Sequence, residues 1–210
     1  MRWLLIALVF ALSGCQSAYY AAWEKLGVEK RDILVDRVED TRETQQDAQE
    51  QFSSALEQFS TLINYDGGEL QRVYEQLSDE YESSKNAAEA VTARIDSVES
   101  VAEALFDEWQ SELDSYTNAN LRRDSERQLK DTRRRYENLL RSMRRVESSM
   151  DPVLASLQDN VLYLKHNLNA NAVGALQGEL QSISQNVSRL IQEMNAAIAQ
   201  SDEFIKSIQG

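Results

Sequence analysis

Apolar residues recur at alternating spacings of three and four along most of this chain, in four tracts. The first runs Leu34, Val38, Thr41, Gln45, Ala48, Phe52, Ala55, Phe59, Leu62. The second runs Tyr74, Leu77, Tyr81, Ser84, Ala88, Val91, Ile95, Val98, Ala102, Leu105, Trp109. The third runs Leu129, Thr132, Tyr136, Leu139, Met143, Val146, Met150, Val153, Leu157, Asn160, Leu164. The fourth runs Val173, Leu176, Leu180, Ile183, Val187, Leu190, Met194, Ala197, Ser201, Phe204, Ile208. A 3.5-residue repeat held this long demands helices wound around one another, and no segment keeps the period of two that a strand needs.

Turn-forming residues divide the tracts. Asp66-Gly67-Gly68 ends the first, Thr117-Asn118-Ala119-Asn120 separates the second from the third, and Asn167 to Asn171 separates the third from the fourth. Glycine suits the left-handed position after a helix, and asparagine suits both turns and N-caps. Connections this short place successive helices antiparallel. The chain therefore predicts an all-α fold, an elongated antiparallel four-helix coiled-coil bundle over residues 28–210, with helices at about 28–65, 69–116, 120–167 and 171–208. At 1.5 Å per residue such helices span about 60 to 70 Å.

Pro152 falls inside the third tract and removes one backbone donor. The heptad phase continues through it from Val146 to Leu157, which predicts a kink near Pro152. The other reading is a new helix opening at Pro152 with Asp151 as its cap. Thr41, Gln45, Ser84, Thr132, Asn160 and Ser201 also stand on the seam. They either fix register at a cost in stability or mark a wet stretch that opens.

The N-terminus carries a different signal. Arg2 precedes an apolar run from Trp3 to Leu12, and Leu12-Ser13-Gly14-Cys15 follows. Ten apolar residues are too few to cross a bilayer core of about 30 Å but suit the h-region of a secretory signal. The ending resembles the lipobox of bacterial lipoproteins, in which the cysteine is acylated by chains such as palmitate and the preceding residues are removed. That resemblance implies a signal peptide at residues 1–14, lipidation of Cys15 and a membrane-proximal segment at 15–27. Gln16 stands where an inner-membrane retention signal would have aspartate, which implies the periplasmic face of the outer membrane. Tyr19, Tyr20, Trp23 and Leu26 then either rest at the bilayer interface or cap the near end of the bundle.

Signals for catalysis are sparse. His166 is the only histidine and Cys15 the only cysteine, so no His/Cys zinc site can be assembled. A histidine near a helix C-terminus is most simply a favourable charge against the helix dipole. No phosphate-binding glycine loop and no Gly-x-Ser-x-Gly elbow occurs. The 35 Asp and Glu residues read as a solvated surface. The reading is of a protein that is not an enzyme and uses no cofactor or metal.

Charge is unevenly spread, and its sum of −13 argues against nucleic acid as a partner. From Arg122 to Arg145 there are ten basic and four acidic residues, the basic ones being Arg122, Arg123, Arg127, Lys130, Arg133, Arg134, Arg135, Arg141, Arg144 and Arg145. Asp66 to Tyr116 holds fourteen acidic and three basic. Antiparallel packing would carry the basic stretch past Glu89, Asp96, Glu99, Glu103, Asp107, Glu108 and Glu112. The expectation is that these charges pair across the helices and set pairing order. The alternative is a basic stripe for anionic lipid heads, lipopolysaccharide or an acidic partner.

The stretch Tyr19-Tyr20-Ala21-Ala22-Trp23-Glu24-Lys25-Leu26-Gly27-Val28, continuing through Glu29 to Val38 and on to Gln51-Phe52-Ser53-Ser54-Ala55-Leu56-Glu57-Gln58-Phe59, resembles an uncharacterised family of proteobacterial lipoproteins defined as a domain of unknown function. The resemblance implies placement and no mechanism. Together these readings predict a membrane-anchored scaffold or adaptor with an envelope protein as partner. A carrier or sensor of lipid or amphiphile, with a gap near Ser84 and Ala88, is the alternative. Self-association is also open, because heptads do not fix the number of helices in a bundle.

Overall fold

The computed structural model describes residues 29–63, 70–168 and 170–209. Cys15, the lipobox, the aromatic segment from Tyr19 to Leu26 and the Asp66-Gly67-Gly68 turn lie outside the described residues. The described residues form five helices: α1 (Lys30–Ile63), α2 (Leu70–Glu112), α3 (Ala119–His166), α4 (Ala170–Gln177) and α5 (Leu180–Gln209). A short 3-10 turn, Leu113–Ser115, follows α2. The α1 helix packs on α2 and α5, and α3 packs on the same two, so the long helices form a ring of antiparallel neighbours.

The heptad residues form the interior. Leu34, Val38, Phe52, Phe59, Val91, Ile95, Met143, Leu157, Ile183 and Leu190 are all completely or almost completely buried. Each large side chain taken from water contributes roughly 1.5–3 kcal/mol. Residues flanking the seam are buried as well, among them Ile33, Val35, Val101, Phe106, Val161 and Ile205. A ring of four helices covers a wider stripe of each member than a two-stranded seam does.

Local chemistry sets the helix ends. The Asn118 side chain accepts from the backbone N–H groups of Asn120 and Leu121, at 2.9 and 3.3 Å, and caps α3. At the other end the Asn167 N–H donates to the Leu164 carbonyl and its side chain to the Tyr163 carbonyl. Between these caps α3 passes through Pro152 without ending. Ser148 and Pro152 are both exposed, so water can satisfy the carbonyl that proline leaves unpaired. Val146, Met150, Val153 and Leu157 stay buried on either side.

The fourth tract departs from expectation. Instead of one helix over 171–208, the chain breaks at Gly178 and Glu179. The Glu179 N–H turns back to the Leu176 carbonyl at 3.0 Å, and Ile183 restarts the helical pattern on the Glu179 carbonyl. Glycine is about 1 kcal/mol poorer than alanine inside a helix, and Gly174 and Gly178 fall within eight residues of the start of α4. Even so, Leu176 and Ile183 are both buried, so the seam crosses the break in phase.

Most polar seam residues are buried. Thr41, Gln45, Ser84, Asn160 and Ser201 are buried, and Thr132 is half-buried. Thr41 donates to the Arg37 carbonyl, Ser201 to the Ala197 carbonyl and Asn160 to the Ser156 carbonyl, each one turn back on its own helix. Gln45 and Ser84 have no hydrogen-bond partner among the described residues.

Candidate functional site

The α2–α3 pair carries the charged surface singled out in the sequence. Its turn is closed by Trp109, whose indole N–H donates to the Ser125 hydroxyl at 2.8 Å. Farther along, Phe106 meets Tyr136 edge-on with ring centroids 5.3 Å apart, and Tyr136 in turn faces Phe204 of α5 at 6.4 Å. The Arg133 guanidinium lies over the Phe106 ring, 5.2 Å from its centroid. Neither Phe106 nor Ser125 was legible as a contact residue: Phe106 stands beside the seam, and Ser125, in phase four residues before Leu129, is a polar residue ahead of the first apolar one in its tract. The signal available for Phe106 was its place next to Leu105 in a ring that buries flanking positions.

Most of the expected pairing between the basic stretch and α2 does not form. Among the ten basic residues only Arg144 forms an ion pair with α2 among the described residues, bonding Asp96 at 2.8 Å and Glu99 as well, while holding Glu147 at 3.0 Å on its own helix. Arg122 bonds Asp114 in the turn at 2.8 Å. Arg127 and Arg134 pair with Asp124 and Asp131, three residues back on α3, and Arg123 and Arg141 donate to Asn120 and Asn138. Glu108 is taken by Lys30 of α1 at 2.8 Å. The reason is angular: Arg127, Arg134 and Arg141 point outward from the bundle, so a neighbour one turn away is nearer than the next helix.

Buried polarity concentrates where Arg144 and Tyr136 sit. Burial works against charge on Arg144, but hydrogen bonds to Glu99, Glu147 and Asp96 outweigh it and raise its pKa above the ordinary value. Burial, reinforced by Glu99 and Glu103, raises the pKa of Tyr136. The Tyr136 hydroxyl has no partner among the described residues.

Ser84 and Ala88, where carriage of an amphiphile calls for a gap, are both buried. An open groove of about 630 Å³ between α2 and α3 reaches this place, lined by Ala88 itself with Tyr81, Lys85, Glu89, Met150 and Leu154. A second hollow of about 610 Å³ lies where the described chain enters, between Glu29 and Lys30 of that segment, Trp109, Arg135 and Ile208. At the opposite end Leu162, Tyr163 and Leu168 are exposed. His166 is also exposed there, in the last turn of α3. Among the described residues no group of three or more His, Cys, Asp or Glu side chains is placed to hold a metal ion. None of the described helices is long and apolar enough to cross a membrane.

No curated protein matches the chain. The family described as protein of unknown function (DUF2959) matches residues 19–208, and the chain belongs to that family.

Proposed function

We propose that this protein is a non-enzymatic lipoprotein of the outer membrane, held to the periplasmic leaflet by acyl chains on Cys15. Its bundle acts as a rigid scaffold or adaptor for envelope proteins. The observation that supports this reading is the polarity of the rod. Glu29 and Lys30, fourteen and fifteen residues after Cys15, stand beside Trp109 and Ile208 at one end. Exposed Leu162, Tyr163 and Leu168 stand at the other. The stretch of α3 from Asp131, beside Lys30, to Leu162 separates these levels by about 45 Å, and exposed apolar side chains grouped at a tip suit contact with another protein.

The test has two arms. Mass spectrometry of the protein from its native membrane reads acylation of the mature N-terminus, and Cys15→Ala abolishes it; an unmodified Cys15 overturns the anchor. In-cell photo-crosslinking from Tyr163 and from Arg134 reads the partner. Capture of one envelope protein from Tyr163 supports the adaptor, whereas crosslinks confined to lipid or to its own chain overturn it.

A further inference from the structure

The outer faces of α2 and α3 carry opposite charges on the same repeat. On α2, Glu75, Glu82, Glu89, Asp96 and Glu103 follow one another at intervals of seven, and all are exposed. On α3, Arg127, Arg134 and Arg141 do the same and are likewise exposed. Seven residues advance each helix by about 10.5 Å. The bonds of Arg144 to Asp96 and Glu99, with Phe106 against Tyr136, set the level. Asp96, Glu103 and Asp107 therefore stand beside Arg134 and Arg141 along the rod.

We infer that this face is self-complementary, and that two copies of the chain associate side by side through it. A two-fold axis parallel to the rod lays α2 of one copy over α3 of the other at the same level. Carboxylates at 103 and 107 then meet guanidiniums at 134 and 141, twice over. A two-fold axis across the rod would set α2 on α2, acid against acid, and is disfavoured. The parallel arrangement keeps both N-termini at one end, as anchoring of both copies in one membrane requires. The orientation follows from the charges; only its match to a shared membrane rests on the anchor reading. The basic stripe runs along the side of the rod for about 20 Å between Arg127 and Arg141. A second rod fits such a stripe better than a membrane that holds the end.

The experiment uses the mature chain with Cys15→Ser, so that no acyl group contributes, and reads mass by sedimentation. The unaltered face gives a dimer at low salt that dissociates at high salt. Arg134→Glu with Arg141→Glu gives a monomer, as does Glu103→Arg with Asp107→Arg, both keeping a helical spectrum. Mixed together, the two variants restore the dimer. Spin labels at Ser111 lie close together, at the same end of the pair. A chain that stays monomeric at low salt overturns the inference, as do reversed variants that still dimerise, a mixture that does not pair, or labels a rod length apart. A monomer whose native form is acylated on Cys15 removes the pairing alone. A dimer whose native form is unacylated removes the anchor alone.

Discussion

Trp109 and Ser125 are joined by a 2.8 Å hydrogen bond that ties the last turns of α2 to the first turns of α3. The Ser125 side chain is nearly buried, and the Tyr116 hydroxyl approaches the same oxygen at 3.4 Å. One serine thus organises the whole connection. Ser125→Ala leaves the indole N–H without its acceptor, and the expected loss is about 1 kcal/mol. Chemical denaturation followed by tryptophan fluorescence measures it; an unchanged midpoint would show that the turn holds without this bond.

Gln45 contributes stability in the opposite sense. It is completely buried, and neither its amide nitrogen nor its oxygen finds a partner among the described residues. Leucine fills a similar volume without the desolvated amide. Gln45→Leu is expected to stabilise the bundle by about 1–3 kcal/mol, read as a higher urea midpoint at constant slope. A drop in the slope would instead reveal that the amide enforces one register.

Tyr136 gives the fold an alkaline limit. Its pKa is raised in the folded chain, chiefly by burial, from an ordinary value of about 10. The folded state binds this proton more tightly, so the stabilisation is intact below pH 10. It is lost as pH climbs from there toward the folded pKa. Tyr136→Phe removes that part of the alkaline slope and leaves stability at pH 7 unchanged or higher, because the hydroxyl has no partner. Thermal melts between pH 7 and 11 test this, and an identical slope in both proteins would refute it.

Gly178 marks a break that one methyl group can mend. A Cβ built there meets only the Ala175 carbonyl oxygen, at 3.7 Å, an ordinary contact. Gly178→Ala is expected to gain about 0.4–1 kcal/mol by reducing the freedom of the unfolded chain. Circular dichroism checks the accompanying rise in helix content. Destabilisation would mean that the bend at Gly178 and Glu179 is itself required.

Pro152→Ala tests the other irregularity. Restoring a donor inside α3 is expected to stabilise the helix by up to about 3 kcal/mol, seen as a higher melting temperature. No gain would indicate that the helix has already relaxed around the proline.

The interior was almost wholly legible, because a buried position must be apolar or small and its spacing is fixed by helix geometry. Even Thr41, Gln45 and Ser201 were placed correctly, since heptad phase and not side-chain chemistry decides which face turns inward. What the spacing could not carry was the direction of long side chains. Ten basic residues near seven acidic ones suggested a zipper between helices. Yet Arg127 and Arg134 reach Asp124 and Asp131, a choice set by a rotation of tens of degrees about one helix axis. The break at Gly178 was hidden for a related reason: Leu176, Leu180 and Ile183 keep the rhythm of an unbroken helix.

The ring of long helices is closed by its own first and last members, which meet where Arg42 bonds Asp202 at 2.9 Å across 160 residues. The α5 helix is therefore the one that covers both α1 and α3. A chain cut short before α5 is not a shorter rod; it is a trough of three helices with an open apolar floor. Folding must wait for the thirty residues of α5, and truncation just before them should be as damaging as truncation far upstream.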